Sequence, residues 1–504
     1  DLILTEDDEV LASFTGPSYE TLQPVVVDLS SNMGQHLRIR IVDNATGSWG
    51  HVNYDDFRFF GERPEFPPGR ELKSKIDRLQ NAGLSPEDAA EAMTSGEGFR
   101  VELVAGEPDI HQPIALTLDE RGRIWVAEAY SYPKRRAPED ARDRILIFED
   151  SDGDGQFETR KVFAENLNLV SGLEVGYGGI FVGAAPEFLF LADADGDDRA
   201  DGPPEVLLDG WGYQDTHETL NAFIWGPDGW LYGCHGVFTH SRVGPPGTPD
   251  ADRTPINAGV WRYHPLRREF EVFAWGSSNP WGVDFDDMGR AFITACVIPH
   301  LYYTAQGGRY ERQAGRHFNP YVYEDIPTIA DHRHYVGSNP HGGTGISESV
   351  GGGHAHCGAM IYLGDSWPEE YRGTLLVNNV HGNRVNREIL VPDGSGFVGQ
   401  HGPDFLLAND RWFRGINLKY GPAGSVYLID WYDSQACHHN DQEVWNRGNG
   451  RMYKVVYGDT QPAHVNLAAM DESELVECVL HANDWYVRNA RRLLSERGVS
   501  EAGM

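Results

Sequence analysis

A histidine with two acidic neighbours stands directly before a strand–turn–strand pattern in QDTHETLNAFIWGPDGWLYGCHG, residues 214–236. A neutral imidazole can accept the proton of an alcohol near pH 7. Asp215 or Glu218 would orient His217 for that role, and Asp215 could also contact a substrate. The alternative is a loop histidine that is hydrogen-bonded to the backbone.

Polar residues precede two other predicted strands in the same way. Asn279 lies before a strand in GSSNPWGVDFD, and the nearby Trp281 could stack on a flat ligand or a sugar. In ESVGGGHAHCGAMIY, His354 and His356 would share one face of an extended segment and could hold substrate or a metal ion. The structural alternatives are a capped turn with a core tryptophan and a glycine-rich loop.

Two later segments carry further candidates. NNVHGNRVNRE places Asn379 and His381 directly after a strand, and such polar groups are costly to bury unless they are paired or bound to a ligand. In NDRWFRGINLKYG, Arg414 leads into a strand. Its guanidinium could clamp a carboxylate of a ligand, or it could pair with Asp410.

An acidic stretch, EDSDGDGQFE, resembles part of a calcium-binding loop. Asp150, Asp152, Asp154 and Gly155 stand at loop positions one, three, five and six, but Lys161 occupies position twelve, where a bidentate glutamate is needed. The pattern therefore indicates either a calcium site at the three aspartates or an acidic hairpin turn.

Six segments between residues 99 and 457 repeat one pattern, in which a strand, a glycine-containing turn and an apolar strand follow one another. The turn glycines are Gly122, Gly179, Gly229, Gly289, Gly373 and Gly424. Their spacing is typical of β-propeller blades, and the longest gap, from Gly289 to Gly373, should hold an insertion. The sequence therefore predicts a mainly β fold with a six-bladed propeller over 99–457. A β-sandwich is the alternative, but it would not explain six similar hairpins.

Shorter segments flank the propeller. VVVDLS, HLRIRIVDN and HVNYDDFRFF predict strands of a partial, carbohydrate-binding-like β-sandwich over residues 1–62. A linker and helices are predicted over 63–98, in ELKSKIDRLQNAG and in LSPEDAAEAM, where Ser85 is the N-cap and Pro86 the first helical residue. Two helices over 465–504 resemble the start of a HEAT/armadillo-like repeat array, and either pack on the propeller or have lost their neighbours. The abrupt ends suggest a fragment of a longer protein.

Composition excludes some classes of function. Acidic residues outnumber basic ones 76 to 42 and the net charge is −34, so a nucleic-acid partner is not expected. Five scattered cysteines suggest neither a disulfide framework nor a zinc site. The sequence contains no apolar run of membrane-spanning length and does not begin with a signal peptide.

Long motifs resemble those of the membrane-bound dehydrogenases of planctomycete-type bacteria over about residues 84–500, as in LLDGWGYQDTHETLNAFIWGPDGWLYGCHGVFTH and GGGHAHCGAMIYLGDSWPEEYRGTLLVNNVHGNRVN. This resemblance implies an extracytoplasmic, for example periplasmic, protein that associates with a membrane. It also implies HEAT-like repeats and a cytochrome c domain as electron acceptor beyond this chain. More distantly, the propeller is similar to soluble glucose and sorbosone dehydrogenases, which use pyrroloquinoline quinone (PQQ) and calcium.

The more distant resemblance implies roles for single residues. A histidine ahead of a GPDG hairpin is the general base in that family, and His217 matches it. Asn279, His381 and Arg414 align with cofactor-contacting positions, and Trp412 stands where the family has another arginine, so it would contact substrate. The quinone carries three carboxylates and needs cations around it. The loss of three of the four cations at these positions therefore counts against PQQ as the cofactor.

Three hypotheses follow. In the first, the protein oxidises a sugar or sugar-derived alcohol at the propeller channel, and His217 takes the hydroxyl proton as hydride leaves to a quinone. The second is a quinone-independent, carbohydrate-active lyase or hydrolase, and the third is a non-catalytic, carbohydrate-binding propeller. The first predicts that His217, Asn279, His356, His381 and Arg414 converge on one channel mouth.

Overall fold

A small antiparallel sheet lies near the N-terminus of the protein in this computed structural model, which describes residues 2–6, 9–14, 23–42, 56–62, 64, 81–216, 219–319, 321, 324–334, 353–436 and 444–498. Its strands, in the order β2-β1-β3, are β1 (Leu2–Glu6), β2 (Glu9–Phe14) and β3 (Arg38–Ile41). The prediction of a strand in VVVDLS is wrong, because Asp28 Oδ1 accepts the N–H of Ser30 at 2.9 Å and a one-turn 3-10 helix begins there. Residues 56–60 of HVNYDDFRFF do not form a strand either.

The first described α-helix is α1 (Pro86–Ala92), which begins as predicted. The hydroxyl of Ser85 accepts the N–H of Asp88 at 3.1 Å, and two acidic residues lie in the first turn, where they face the positive end of the helix dipole. Most of the helix predicted in ELKSKIDRLQNAG lies outside the described residues, and residues 81–83 are not helical. Two strands follow, β4 (Thr94–Ser95) and β5 (Phe99–Ala105).

Six antiparallel sheets follow as the blades of a propeller, which confirms the predicted fold class. Blade 1, from the inner strand outward, contains β6 (Pro113–Leu118), β7 (Ile124–Glu128), β8 (Asp143–Glu149) and β9 (Thr159–Leu167). Blade 2 contains β10 (Val170–Val175), β11 (Gly179–Ala184), β12 (Glu187–Ala192) and β13 (Glu205–Asp209). Blade 3 contains β14 (Asn221–Trp225), β15 (Leu231–His235), a separate hairpin of β16 (Ser241–Val243) and β17 (Thr254–Ile256), and then β18 (Gly259–His264) and β19 (Glu269–Trp275).

The remaining three blades are less uniform. Blade 4 contains β20 (Pro280–Phe285), β21 (Ala291–Ala295) and β22 (Leu301–Thr304). Blade 5 contains β23 (His356–Ile361), β24 (Leu375–Asn379), β25 (Arg384–Asp393), β26 (Gly396–His401) and β27 (Leu406–Leu407), and its edge pairs with β4. Blade 6 contains β28 (Gly415–Tyr420), β29 (Val426–Asp430) and β30 (Arg451–Tyr457).

The ring of blades closes where the first strand of the propeller, β5, joins the blade that contains its last strand, β30. β5 pairs antiparallel with β30, so the last blade combines the first and last strands of the propeller. The inner strands β6, β10, β14, β20, β23 and β28 each contact the next one around the ring, and β28 returns to β6. The inner edge of each blade is therefore short and faces the central channel rather than open solvent.

The inner strands share a local irregularity. Each of the six has a shift of register against its neighbour within its first five residues. Such bulges increase the twist of a strand and redirect the side chains beside it. The residues at these starts therefore surround one end of the channel, which we call the channel mouth.

The turns between the first two strands of the blades follow the sequence prediction closely. Five of the six predicted turn glycines have φ between +75° and +80°. In blade 2 the left-handed position is Gly178 rather than Gly179. Glycine adopts this conformation without the steric cost that a Cβ would impose.

The segment between β22 and β23 is the long connection that the repeat spacing predicts. Its described residues, 305–319, 321, 324–334 and 353–355, contain no helix or strand beyond isolated bridges. One bridge joins Ala330 to Gly399 of blade 5. We call this segment the insertion, and its described residues 328–334 lie against the seam between blades 4 and 5, where the Thr328 hydroxyl donates to the carbonyl of Leu301 in β22.

The C-terminal helices α2 (Glu472–Cys478) and α3 (Asp484–Arg497) pack on the propeller. Leu475 and Leu493 are buried in the cluster that includes the inner strands of blades 5 and 6. Arg488 pairs with Asp284 of β20 at 2.7 Å. Of the two arrangements considered from the sequence, the helices therefore take the one packed on the propeller. Among the described residues, no helix combines the length and the apolar character needed to cross a bilayer.

Substituting Gly282 with alanine is expected to lower the free energy of unfolding by about 3 kcal/mol. Gly282 has φ +154°, and a Cβ there would lie 2.3 Å from the backbone nitrogen of Ala359 in the next inner strand. Urea unfolding followed by tryptophan fluorescence measures this loss. Gly202→Ala is the control, because its Cβ would meet open space and its φ is ordinary. Equal losses in the two variants would contradict this packing argument.

Candidate functional site

A cavity at the channel mouth is lined by the starts of four inner strands. These contribute Ile114 of β6, Trp281 of β20, Cys357 of β23 and Ile416 of β28. The cavity walls are mostly apolar and aromatic, with few polar groups. Such a composition is typical of small-molecule sites, in which a few polar groups fix the orientation of a ligand.

Four of the candidate residues from the sequence line this one cavity. They are Asn279, Trp281, His354 and Arg414. They come from three blades and are separated by up to 135 positions, but each lies at or just before the start of an inner strand. The closed ring of blades brings these starts together.

Asn279 is held in an unusual conformation at the cavity. Its φ is +45°, and it is only 6% exposed. Its Oδ1 accepts the N–H of Val237 at 3.1 Å. This bond fixes the side chain and leaves the amide nitrogen as the end that can donate to a ligand.

Arg414 is the one residue with a permanent charge among the described residues that line the cavity. Its guanidinium donates to four backbone carbonyl oxygens, those of Phe413 at 2.8 Å, Gln435 at 3.2 Å, Ser434 at 3.3 Å and Val380 at 3.4 Å. These bonds position the loop beside the cavity and occupy most of the donors that a carboxylate would need. The described lining therefore does not fit a tricarboxylate such as PQQ.

An aromatic wall completes the cavity, and the sequence analysis missed it. Tyr132 lies edge-on to Trp431 and Trp445, with ring centroids 5.4 and 5.2 Å apart. The indole N–H of Trp445 is buried and has no acceptor among the residues that the structure describes. Trp431 directly follows β29, so a search for aromatic residues at strand ends could have found it.

His354 and His381 lie together beside the cavity. Their rings stack with centroids 4.3 Å apart and an interplanar angle of 24°. A Cβ at position 353 would lie 2.1 Å from the Cβ of His381, so this contact requires Gly353. Asn379 holds the same glycine, accepting its N–H at 3.0 Å and donating to its carbonyl at 3.1 Å. His381 and Asn379 do not themselves line the cavity.

His356 lies in a different environment from His354, so the two do not share a face as predicted. His354 sits in a bend, and the strand begins only at His356. His356 is fully buried, and its Nε2 lies 2.8 Å from Nδ1 of His334. His300, His332, His334 and Glu388 form a compact group next to it. We call these four residues the histidine–glutamate cluster.

Charges inside this cluster are strongly perturbed. Burial, reinforced by its histidine neighbours, lowers the pKa of His334 to about 3. Burial opposes the charge of Glu388, but the surrounding histidines hold the pKa of this carboxyl well below its usual range. The His332-x-His334 pair in DHRHY is the one local pattern in the sequence that could have pointed to this cluster.

The other candidates lie elsewhere or outside the described residues. His217 and Glu218 are outside the described residues. The backbone oxygen of Asp215 accepts the hydroxyl of Thr239 at 3.0 Å, and Asp215 is not part of the cavity lining. Trp412 packs on Tyr432, with centroids 5.8 Å apart, and does not line the cavity.

The acidic stretch forms the loop between β8 and β9, outside the channel-mouth cavity. Asp150 accepts the N–H groups of Gly153 and Gly155, both at 2.8 Å, and Asp154 accepts that of Gln156 at 2.8 Å. These bonds are typical of an acidic hairpin turn. The carboxylates close enough to share a cation are those of Asp150, Asp152 and Glu158, not Asp154.

Comparison with known proteins places most of the chain in one family. A family model described as a domain of unknown function, DUF7133, matches residues 85–459. No curated protein matches the chain.

Several solved structures resemble the propeller at low sequence identity. An oxidoreductase from Thermus thermophilus, described as a glucose dehydrogenase, is 18% identical with a TM-score of 0.46, covering 71% of this chain and 100% of its own. The PQQ-bound aldose sugar dehydrogenase of Streptomyces coelicolor is 13% identical with a TM-score of 0.43, covering 72% and 99%. The PQQ domain of pyranose dehydrogenase from Coprinopsis cinerea is 14% identical with a TM-score of 0.44, covering 72% and 97%. Such identities assign neither a substrate nor a cofactor to this chain.

Proposed function

Since the chain belongs to the DUF7133 family, a family of unknown function, we propose a function from the channel-mouth cavity: the protein binds a sugar or sugar-derived alcohol there and oxidises it. One observation carries this proposal. Asn279, Trp281, His354 and Arg414, all candidates from the sequence at or just before the start of an inner strand, line a single cavity with an aromatic wall.

The cavity chemistry suits a carbohydrate. A sugar ring presents apolar C–H faces and a rim of hydroxyl groups. Trp281, Trp431 and Trp445 offer broad apolar surfaces for those faces. The Asn279 amide and the indole N–H of Trp445 can each donate to a hydroxyl oxygen, and that bond would satisfy the buried indole donor.

Oxidation of the bound alcohol releases a hydride, which needs a two-electron acceptor such as a quinone, and a hydroxyl proton, which needs a base; we assign the role of base to His217. The neighbouring residue supports the assignment, because the Thr216 hydroxyl donates to the carbonyl of Pro133 at 2.5 Å. Pro133 follows Tyr132, which lines the cavity. A neutral imidazole has a suitable pKa for this proton transfer.

A second candidate is a quinone-independent lyase or hydrolase acting on a carbohydrate in the same cavity. The commitment of Arg414 to backbone carbonyls favours it, because the described lining offers no free cation for the carboxylates of a quinone. Dye-coupled turnover over a panel of sugars and polyols, with and without added PQQ and calcium, separates the two. Product formation without dye reduction would support the second candidate against the first.

Replacing Trp445 with phenylalanine is expected to weaken binding of the preferred sugar or polyol up to about tenfold. The variant keeps an aromatic ring but removes the buried indole N–H that would donate to a hydroxyl. Isothermal titration over the panel measures the dissociation constant.

Trp367→Phe is the matched control, since Trp367 is also buried with an unsatisfied indole nitrogen but lies in a different core cluster. Its binding should equal that of the wild type. If no sugar or polyol binds, or if both variants bind as the wild type does, the cavity is not the carbohydrate site.

A further inference from the structure

The histidine–glutamate cluster consists of three imidazoles and one carboxylate that meet in the protein interior. His300, His334 and Glu388 are at most 1% exposed, and His332 is half-buried. Their ligand atoms all lie within 4.8 Å of one another. Burying this many ionisable groups is costly unless a common partner satisfies them.

Four separations within the cluster are close to the edge length of a tetrahedral metal site. Glu388 Oε1 lies 3.1 Å from Nε2 of His300 and 3.1 Å from Nε2 of His334, while Oε2 lies 3.3 Å from Nε2 of His332. The Nε2 atoms of His332 and His334 are 3.0 Å apart. Ligands about 2.0–2.1 Å from a zinc ion are about 3.3 Å from each other in a tetrahedron.

Among the described residues, hydrogen bonding leaves three atoms of the cluster unsatisfied. Both Glu388 oxygens and His300 Nε2 are buried and lack a hydrogen bond of suitable direction within the described part of the chain. Short separations without the matching angles are expected when atoms point at a common centre rather than at one another.

In two of the histidines, the ring nitrogen that faces away from the cluster, Nδ1, already has a hydrogen-bonding partner, as is usual for metal-binding histidines. Nδ1 of His332 lies 2.9 Å from Oδ1 of Asp331, and Nδ1 of His334 lies 2.8 Å from Nε2 of His356. A proton on each Nδ1 would leave the Nε2 lone pair directed into the cluster. Metal-binding histidines usually have such a partner on the other ring nitrogen, which fixes the tautomer.

We propose that His300, His332, His334 and Glu388 bind one divalent transition-metal ion, with zinc as the reference ion. Imidazole and carboxylate ligands in this proportion suit zinc and its first-row neighbours rather than calcium or magnesium. Four protein ligands make a closed, structural site.

The metal site would fasten the insertion to the propeller. His332 and His334 belong to the insertion, His300 precedes β22 of blade 4, and Glu388 lies in β25 of blade 5. One ion would therefore link three segments at the seam of two blades. Its removal should loosen the insertion without opening the ring, which is closed elsewhere by β5 and β30.

Metal content and cobalt substitution test the proposal on the whole chain. We expect one equivalent of zinc after exhaustive dialysis of protein purified with zinc, and a lower thermal midpoint after treatment with a chelator that is restored by added zinc. Cobalt added to the chelated protein should give the intense visible bands of a tetrahedral site. The absence of stoichiometric zinc and of these bands would overturn the proposal and leave a histidine–carboxylate ion-pair cluster only.

Variants separate the cluster from other metal-binding groups. Glu388→Gln and His332→Gln should each weaken zinc binding by on the order of 100-fold. His401→Gln is the matched control, because its ring stacks on His332 at 4.8 Å but is not one of the four ligands. Asp152→Asn controls for the acidic loop. Both controls should bind zinc as the wild type does, and unchanged binding in the two cluster variants would refute the assignment.

Discussion

Replacing Arg488 with methionine is expected to lower the free energy of unfolding by about 3–5 kcal/mol, because it leaves a buried aspartate without its cation. Arg488 on α3 donates to Asp284 at 2.7 Å, to Asp484 at 2.6 Å and to the carbonyl of Phe285 at 2.9 Å. Asp284 is 2% exposed in the inner strand of blade 4. Burial opposes the charge of Arg488, but Asp284 and its neighbours hold the pKa of the guanidinium well above its usual range. Urea unfolding measures the loss.

A surface arginine on the same helix provides the control. Arg497 donates to the carbonyls of Met470 and Ala468 in an exposed position, so Arg497→Met should cost less than about 1 kcal/mol. Adding Asp284→Asn to Arg488→Met should recover part of the stability, since the unpaired charge is then absent. If the double variant is no more stable than Arg488→Met, the loss arises from packing of the methylene groups rather than from the ion pair.

Local backbone requirements explain why the propeller could be predicted from the sequence. A left-handed turn between two strands needs glycine, and the six turns repeat this requirement at nearly regular intervals. Asn279, His354 and Arg414 each precede an inner strand. The one expectation that functional side chains lie just before the repeated strands was therefore enough to find them. The strand prediction for VVVDLS was wrong because the alternation of apolar and polar residues takes no account of hydrogen bonds from side chains. The Asp28 carboxylate accepts the N–H of Ser30 and so stabilises a turn instead of a strand.

Long-range closure explains what the sequence did not predict. Tyr132 and Trp445 meet only because blade 1 and blade 6 are neighbours in the closed ring, 313 positions apart. Likewise His300 and Glu388 lie on adjacent blades and share no local spacing. His332-x-His334 gives a local signal, but two histidines become a recognisable ligand set only when the fold adds the others.

Replacing His217 with alanine is expected to lower the turnover number for dye-coupled oxidation by about 10²–10⁴-fold, the usual contribution of a general base. The dissociation constant of the sugar should change far less, because the aromatic wall and Asn279 supply the binding contacts in our proposal. Stopped-flow dye reduction combined with titration calorimetry measures the two quantities separately. External imidazole should restore part of the activity of the alanine variant, which a purely structural histidine would not allow.

His240 provides the matched control, as an exposed histidine of blade 3 whose ring packs on Phe318 at 5.5 Å. His240→Ala should keep the turnover of the wild type.

The dependence on added quinone then decides between the proposed activities. Activity that needs PQQ and falls in His217→Ala supports alcohol oxidation, despite the poor match of the described lining to three carboxylates. Carbohydrate turnover that needs no quinone but is lowered to the same extent in His217→Ala supports a lyase or hydrolase with the same base. Carbohydrate binding without turnover in the wild type contradicts both catalytic proposals.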